Sequence, residues 1–92
     1  MVSMATHEIE SIGKHIYTRE CEQPPQRKTK RWTVVANDGE MDLGEVKWYG
    51  AWRCFAYFPL DDTLYEKTCL RDIANFCERK THEQLATSKQ EL

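Results

Sequence analysis

Leu43-Gly44-Glu45-Val46-Lys47-Trp48-Tyr49-Gly50-Ala51-Trp52-Arg53-Cys54-Phe55-Ala56-Tyr57-Phe58 is the stretch whose reading decides the fold. Its first half alternates: Val46 and Trp48 fall on one side, while Glu45, Lys47 and Tyr49 fall on the other. That is the period of two that a half-buried strand imposes. Gly50-Ala51 reads as a turn, and Trp52 to Phe58 as the returning strand. Taken alone, this returning strand places Trp52, Cys54, Ala56 and Phe58 on one face and Arg53, Phe55 and Tyr57 on the other. Pro59 has no N–H to give a ladder and ends the pairing.

The pattern extends in both directions. Upstream, Arg31 to Asn37 alternates in the same way, with Trp32, Val34 and Ala36 opposite Thr33 and Val35. Asn37-Asp38-Gly39-Glu40 then supplies residues that tolerate the positive φ of a tight turn before a strand beginning near Met41. Downstream, Asp61-Asp62-Thr63 reads as a turn and Thr63 to Tyr65 as a short edge strand. From Thr68 the period becomes 3.6: Cys69, Leu70, Ile73, Ala74, Phe76 and Cys77 form an apolar stripe, and Arg71, Asp72, Asn75, Glu78 and Arg79 face water. Thr68 is the expected N-cap, and Arg79, Lys80 and His82 place positive charge toward the end of the helix. The expectation is an α+β fold, a three- to four-stranded antiparallel meander packed against one C-terminal helix. Trp32, Trp48, Trp52, Leu70, Ile73 and Phe76 are its expected core.

Residues 1–29 read as a flexible or weakly helical segment. Ile9, Ile12 and Ile16 fall at i, i+3 and i+7, which permits a short amphipathic helix from about Thr6 to Tyr17, weakened by Gly13. Pro24-Pro25 closes that segment. Residues 30–85 form the compact domain, and 86–92 a frayed tail.

The chain has 92 residues, with 13 Lys plus Arg against 15 Asp plus Glu and a net charge of -2. That balance excludes a uniformly basic protein built for nonspecific nucleic-acid or anionic-membrane binding. No apolar run approaches the roughly 18 residues of a membrane span, and Met1 to Glu10 lacks a signal-peptide core, so the expected location is the cytoplasm of the cell that makes it.

Chemistry-bearing constellations are sparse. The cysteines, Cys21, Cys54, Cys69 and Cys77, include no C-x-x-C pair, and Cys69 and Cys77 stand about 12 Å apart on a helix, too far for a disulfide. Cys69, Cys77 and His82 match no zinc spacing and lack a fourth ligand. Cys54, Cys69 and Cys77 therefore read as small hydrophobes and Cys21 as an exposed thiol. His7, His15 and His82 have no rigid frame holding them beside a nucleophile. Asp61 and Asp62 read as turn residues. Neither an enzyme nor a bound cofactor or metal is expected.

The informative feature is the second face of the sheet, since one helix covers one face only. If the helix takes the face of Val46, the reverse face carries Val35, Tyr49, Phe55 and Tyr57, rimmed by Lys47 and Arg53. Tyr and Arg dominate protein–protein hot spots, so Tyr49, Arg53, Phe55 and Tyr57 are the expected partner-binding residues. The partner would be another protein or a second copy in a homodimer; the alternative is that the N-terminal segment folds over this face. A second reading is nucleic-acid binding through Arg27, Lys28, Lys30 and Arg31 beside Trp32, with phosphate contacts and stacking combined. Asp38, Glu40, Asp42 and Glu45 oppose its field. A third is capture of a nucleotide signal between the aromatics and Arg53.

The run from Leu43 to Arg53, followed by Phe58-Pro59 and Cys69-Leu70-Arg71-Asp72-Ile73-Ala74-Asn75-Phe76, resembles a family of small uncharacterised proteins of bacteriophages, prophages and related mobile elements. Their pattern is L-G-x-I/V-K-W-Y-x-x-W-R, then F-P, then C-L-x-D-I-x-x-F. The likeness spans about Trp32 to Glu83 and excludes Met1 to Lys30. It implies a setting more than a chemistry: small phage proteins without catalytic motifs commonly bind host proteins, including components of defence systems such as CRISPR complexes. By that analogy the chain would be a non-enzymatic interaction module inhibiting a host defence protein, in the manner of an anti-CRISPR.

Overall fold

A computed structural model describes residues 8–22 and 28–90, with side chains described as far as residue 86. Its elements are β1 (Ile9–Ser11), β2 (Ile16–Glu20), β3 (Trp32–Ala36), β4 (Asp42–Tyr49), β5 (Cys54–Pro59) and α1 (Lys67–Gln90). The strands form one sheet in the order β1-β2-β3-β4-β5, each antiparallel to the next. α1 crosses one face, so the α+β expectation holds with five strands instead of three or four. Thr63 to Tyr65, expected as an edge strand, is a loop.

The extra strands come from the segment expected to be helical or flexible. The spacing of Ile9, Ile12 and Ile16 fits a helix, but Ile16-Tyr17-Thr18 is β-branched and aromatic and finds the edge of β3 to pair with. Tyr17 lies opposite Val35 and Thr18 opposite Val34. Ile16 and Thr18 then point under the helix and are fully buried, while Ile12 packs at the margin of the core. Gly13 falls in the β1–β2 turn, so its poor helix propensity is no longer a penalty.

Pairing parity fixes which side of β5 is inside. Val46 lies opposite Tyr57, and Trp48 opposite Phe55. Directly paired residues share a face, so Phe55 and Tyr57 join Val46 and Trp48 beneath the helix, while Cys54, Ala56 and Phe58 face away. This reverses the expected facing of the strand. Trp32, sandwiched edge-on between Phe55 (5.4 Å) and Phe76 (5.2 Å), is the centre of the core. Ile16, Val34, Leu43, Val46, Cys69 and Ile73 surround it.

Leu43 reaches that core through an irregularity. The register slips between Val34 and Val35, which lie opposite Gly44 and Asp42, leaving Leu43 as the extra residue of a β-bulge. Strict alternation would place Leu43 with Glu45 on the outer face; the bulge turns it inward. Gly44 beside it is demanded by close approach. A Cβ there would lie 2.6 Å from the Phe58 carbonyl oxygen and 2.6 Å from the Tyr57 hydroxyl.

α1 begins at Lys67, and its cap is Glu66, not Thr68: the Glu66 carboxylate accepts the Cys69 N–H at 2.7 Å. That bond holds the Glu66 carboxyl below its usual range. Leu70, expected in the core, lies to one side of the buried line Cys69–Ile73–Phe76 and is exposed. Further along, Thr81 ties the helix to the sheet. Its hydroxyl accepts the Phe55 N–H at 2.9 Å and donates to the Cys77 carbonyl at 2.8 Å. Phe55 therefore points its backbone away from β4, and so, by alternation, do Tyr57 and Pro59. Thr81 occupies the first of these outward positions and Pro59 has no N–H, so Tyr57 is the one place where β5 presents a donor to an added strand.

Candidate interaction surface

The β4–β5 connection is a tight four-residue loop, closed by Trp52 N–H to the Tyr49 carbonyl and Arg53 N–H to the Gly50 carbonyl, both 3.2 Å. To complete it Arg53 takes φ 54, a left-handed conformation normally left to Gly or Asn. The loop pushes Trp52 outward until it is 72% exposed. Tyr49 and Phe58, at 39% and 36%, stand beside it on the face that α1 does not cover. Tyr49 meets Trp52 edge-on at 5.0 Å and Phe58 at 6.3 Å. Between the rings lies a cleft of about 300 Å³ lined by Tyr49, Trp52, Ala56, Tyr57 and Phe58. Lys47 lays its ammonium over the Phe58 ring, 4.6 Å from its centroid.

The rest of this face is of a different kind. Val35 is fully buried between its cross-strand neighbours Tyr17 and Asp42. Around it run charge pairs: Arg19 with Asp42 at 3.8 Å, Arg31 with Glu45 at 3.6 Å, and Lys47 with Glu45 at 4.0 Å. The exposed aromatic rings of this face are gathered at the hairpin end.

Of the expected partner-binding residues, the structure exposes Tyr49 and Arg53 and withdraws the other two. Phe55 is 5% exposed and belongs to the core. Tyr57 is half-buried on the helix side, where its hydroxyl meets that of Tyr65 at 2.5 Å. Tyr65 in turn donates to the Leu43 carbonyl at 2.9 Å. Burial first, then the Tyr65 contact, pushes the Tyr57 phenol well above its usual range. In their place stand Trp52, expected in the core, and Phe58, expected under the helix. The signal that finds them is hairpin parity: any even-numbered connection after Tyr49 puts Phe55 on the side of Val46 and Phe58 on the opposite one.

The basic cluster divides between two places. Arg27 lies outside the described residues. Lys30 stands 3.7 Å from Glu20, and Arg31 pairs with Glu45 while donating to the Glu22 carbonyl at 3.2 Å. Lys28 and Lys30 together line a groove beside α1. Among the thiols, Cys69 is buried and Cys77 is pushed up to about 11 by burial, then by Cys54 nearby. Cys21, expected to be exposed, is half-buried with its sulfur 3.3 Å from the Thr33 hydroxyl. Among the described residues no three His, Cys, Asp or Glu side chains converge as a metal site would require. No helix among them is long and apolar enough to cross a membrane.

The chain is similar to an uncharacterized 9.3 kDa protein of Acholeplasma phage L2, with 27% identity over 60 residues, covering 65% of this chain and 77% of the phage protein. No protein-family model matches it. No solved structure matches it either.

Proposed function

We propose that this chain is a non-enzymatic protein-interaction module acting in a phage-infected bacterial cell, and that its contact surface is Tyr49, Trp52 and Phe58 with Arg53 at the rim. The observation carrying this reading is Trp52, a large aromatic held almost wholly in water at the tip of a hairpin whose last residue is in a strained conformation. Trp, Tyr and Arg are the residues on which protein interfaces concentrate their binding energy, and backbone strain gathers where function requires it. The likeness to a phage protein supplies the setting. Within that setting the target class we favour is a host defence protein such as a CRISPR component, its activity blocked by occlusion.

The test is capture from bacterial lysate by the tagged chain, followed by native mass spectrometry, in parallel with Trp52→Ala. A discrete partner, or a second copy of the chain, retained by the parent and lost by Trp52→Ala supports the reading. Retention by both removes this surface from it, and a bare monomer from both removes the reading itself. Truncating a hot-spot Trp lowers affinity by about 30-fold or more, which follows from losses of roughly 2 kcal/mol and above.

A further inference from the structure

A groove of about 310 Å³ opens on the other side of the molecule, where the starts of β3 and β5 meet the second half of α1. Three lysines reach it from separate places: Lys28 and Lys30 from the β2–β3 connection and Lys80 from the helix, with Trp32 and Phe55 beneath them and Glu83 at the side. The lining carries three ammonium groups and the Glu83 carboxylate, and Glu20 stands 3.7 Å from Lys30, which leaves one net positive charge in a chain whose net charge is -2. The sign is locally inverted.

Lys80 is the sheltered member. Its side chain is 19% exposed, against 60% for Lys30. Its ammonium lies 5.2 Å from the Trp32 centroid and 5.5 Å from that of Phe76, so ring faces replace part of its hydration. It also lies 3.3 Å from Glu83, one turn further along, whose side chain is 56% exposed. A cation with few waters left to lose, at the inner wall of a groove, interacts more strongly with an entering anion than one in bulk solvent.

We propose that this groove binds a phosphate monoester, its oxygens taken by the ammonium groups of Lys28, Lys30 and Lys80. A phosphate monoester carries about −1.5 to −2 charge and three acceptor oxygens, matching three independent point donors. A carboxylate has half that charge. The apolar edges of Trp32 and Phe55 face the group that the phosphate carries. A free nucleotide and the terminal phosphate of a single-stranded nucleic acid share this chemistry. The site is separate from the aromatic hairpin and stands or falls independently of it.

The experiment is a titration of the full chain, ¹⁵N-labelled and at constant ionic strength, followed by NMR at the Trp32 indole N–H and the Lys80 amide. The probes are adenosine monophosphate, adenosine, and a short single-stranded oligonucleotide with and without a 5′-phosphate. Adenosine monophosphate should shift both signals saturably, and adenosine should not. Lys80→Gln should weaken the effect by about tenfold or more, since a charge-assisted hydrogen bond contributes roughly 1.5–3 kcal/mol. Lys28→Gln, at an exposed position, should weaken it severalfold and serves where Lys80→Gln alters the spectrum of the fold itself. Tighter binding of the phosphorylated oligonucleotide than of the mononucleotide assigns the nucleic-acid terminus; equal binding assigns the free nucleotide. Three results overturn the proposal: no saturable shift, equal shifts from adenosine or the unphosphorylated oligonucleotide, or unchanged affinity in the lysine variants that keep the parent spectrum.

Discussion

The two faces of the sheet obey different rules. Beneath α1, Trp32, Phe55 and Phe76 interlock edge to face, and Ile16, Val34 and Val46 are wholly shielded. On the bare side the aromatics that touch each other, Tyr49, Trp52 and Phe58, remain in water. The same residue types thus stabilise the fold on one side of the sheet and lie exposed on the other. Single-residue alternation along β5 decides which does which.

The sharpest way to break this contrast is to truncate one odd-numbered and one even-numbered aromatic of β5. Phe55→Ala should destabilise the fold by about 3–5 kcal/mol, the usual effect of emptying a core aromatic site, whereas Phe58→Ala should stay within roughly 1 kcal/mol. Urea unfolding of the two variants measures the difference, and a lower midpoint for Phe58→Ala than for Phe55→Ala would mean that the strand faces the other way. Gly44→Ala comes next. The added methyl meets the Phe58 carbonyl and the Tyr57 hydroxyl, so a loss of about 1–3 kcal/mol is expected in the same assay.

These contrasts also show how far the sequence could be read. Alternation in Trp32–Ala36 and Asp42–Tyr49, and the change of period at the helix, made the α+β layering legible. The N-terminal strands were hidden because the spacing of Ile9, Ile12 and Ile16 fits a helix, and only the presence of β3 as a pairing partner overrides it. Leu43 was hidden by the bulge, which no local preference announces. The candidate surface was half legible. Tyr49 and Arg53 followed from β4 and its loop, while Phe55 and Tyr57 were misplaced because β5 was read alone and not through its pairing with β4. The lysine groove joins residues some fifty positions apart in the chain, and only the docking of α1 assembles it.

A smaller effect runs in the opposite direction. Arg53→Gly should stabilise the protein by about 0.5–1 kcal/mol, since relief of a left-handed L-residue outweighs the added freedom of the unfolded chain. If the hairpin is the contact surface, the same variant should bind its partner more weakly, and stability gained with binding intact would detach the strain from recognition. Glu66→Gln probes the cap that fixes the covering helix. The folded Glu66 carboxyl lies below its ordinary 4.5, so its contribution is present above that value and is lost as pH falls through the folded one. The thermal midpoint of the parent should therefore fall more than that of Glu66→Gln as the solution is acidified through this window, a difference that melting curves at stepped pH would register.

The hydroxyl of Thr81 on the Phe55 N–H also sets a schedule. β5 lies ahead of α1 in the chain, so a sheet that pairs as it emerges from the ribosome carries an unguarded outer strand until the helix has been made and laid down. During that interval two outward N–H groups, at Phe55 and Tyr57, are available to a neighbouring nascent chain; after it, one is. The docking of the helix is therefore the step that ends the period of greatest exposure to aggregation. Slowing its arrival, without changing any contact in the finished protein, should lower the yield of soluble chain.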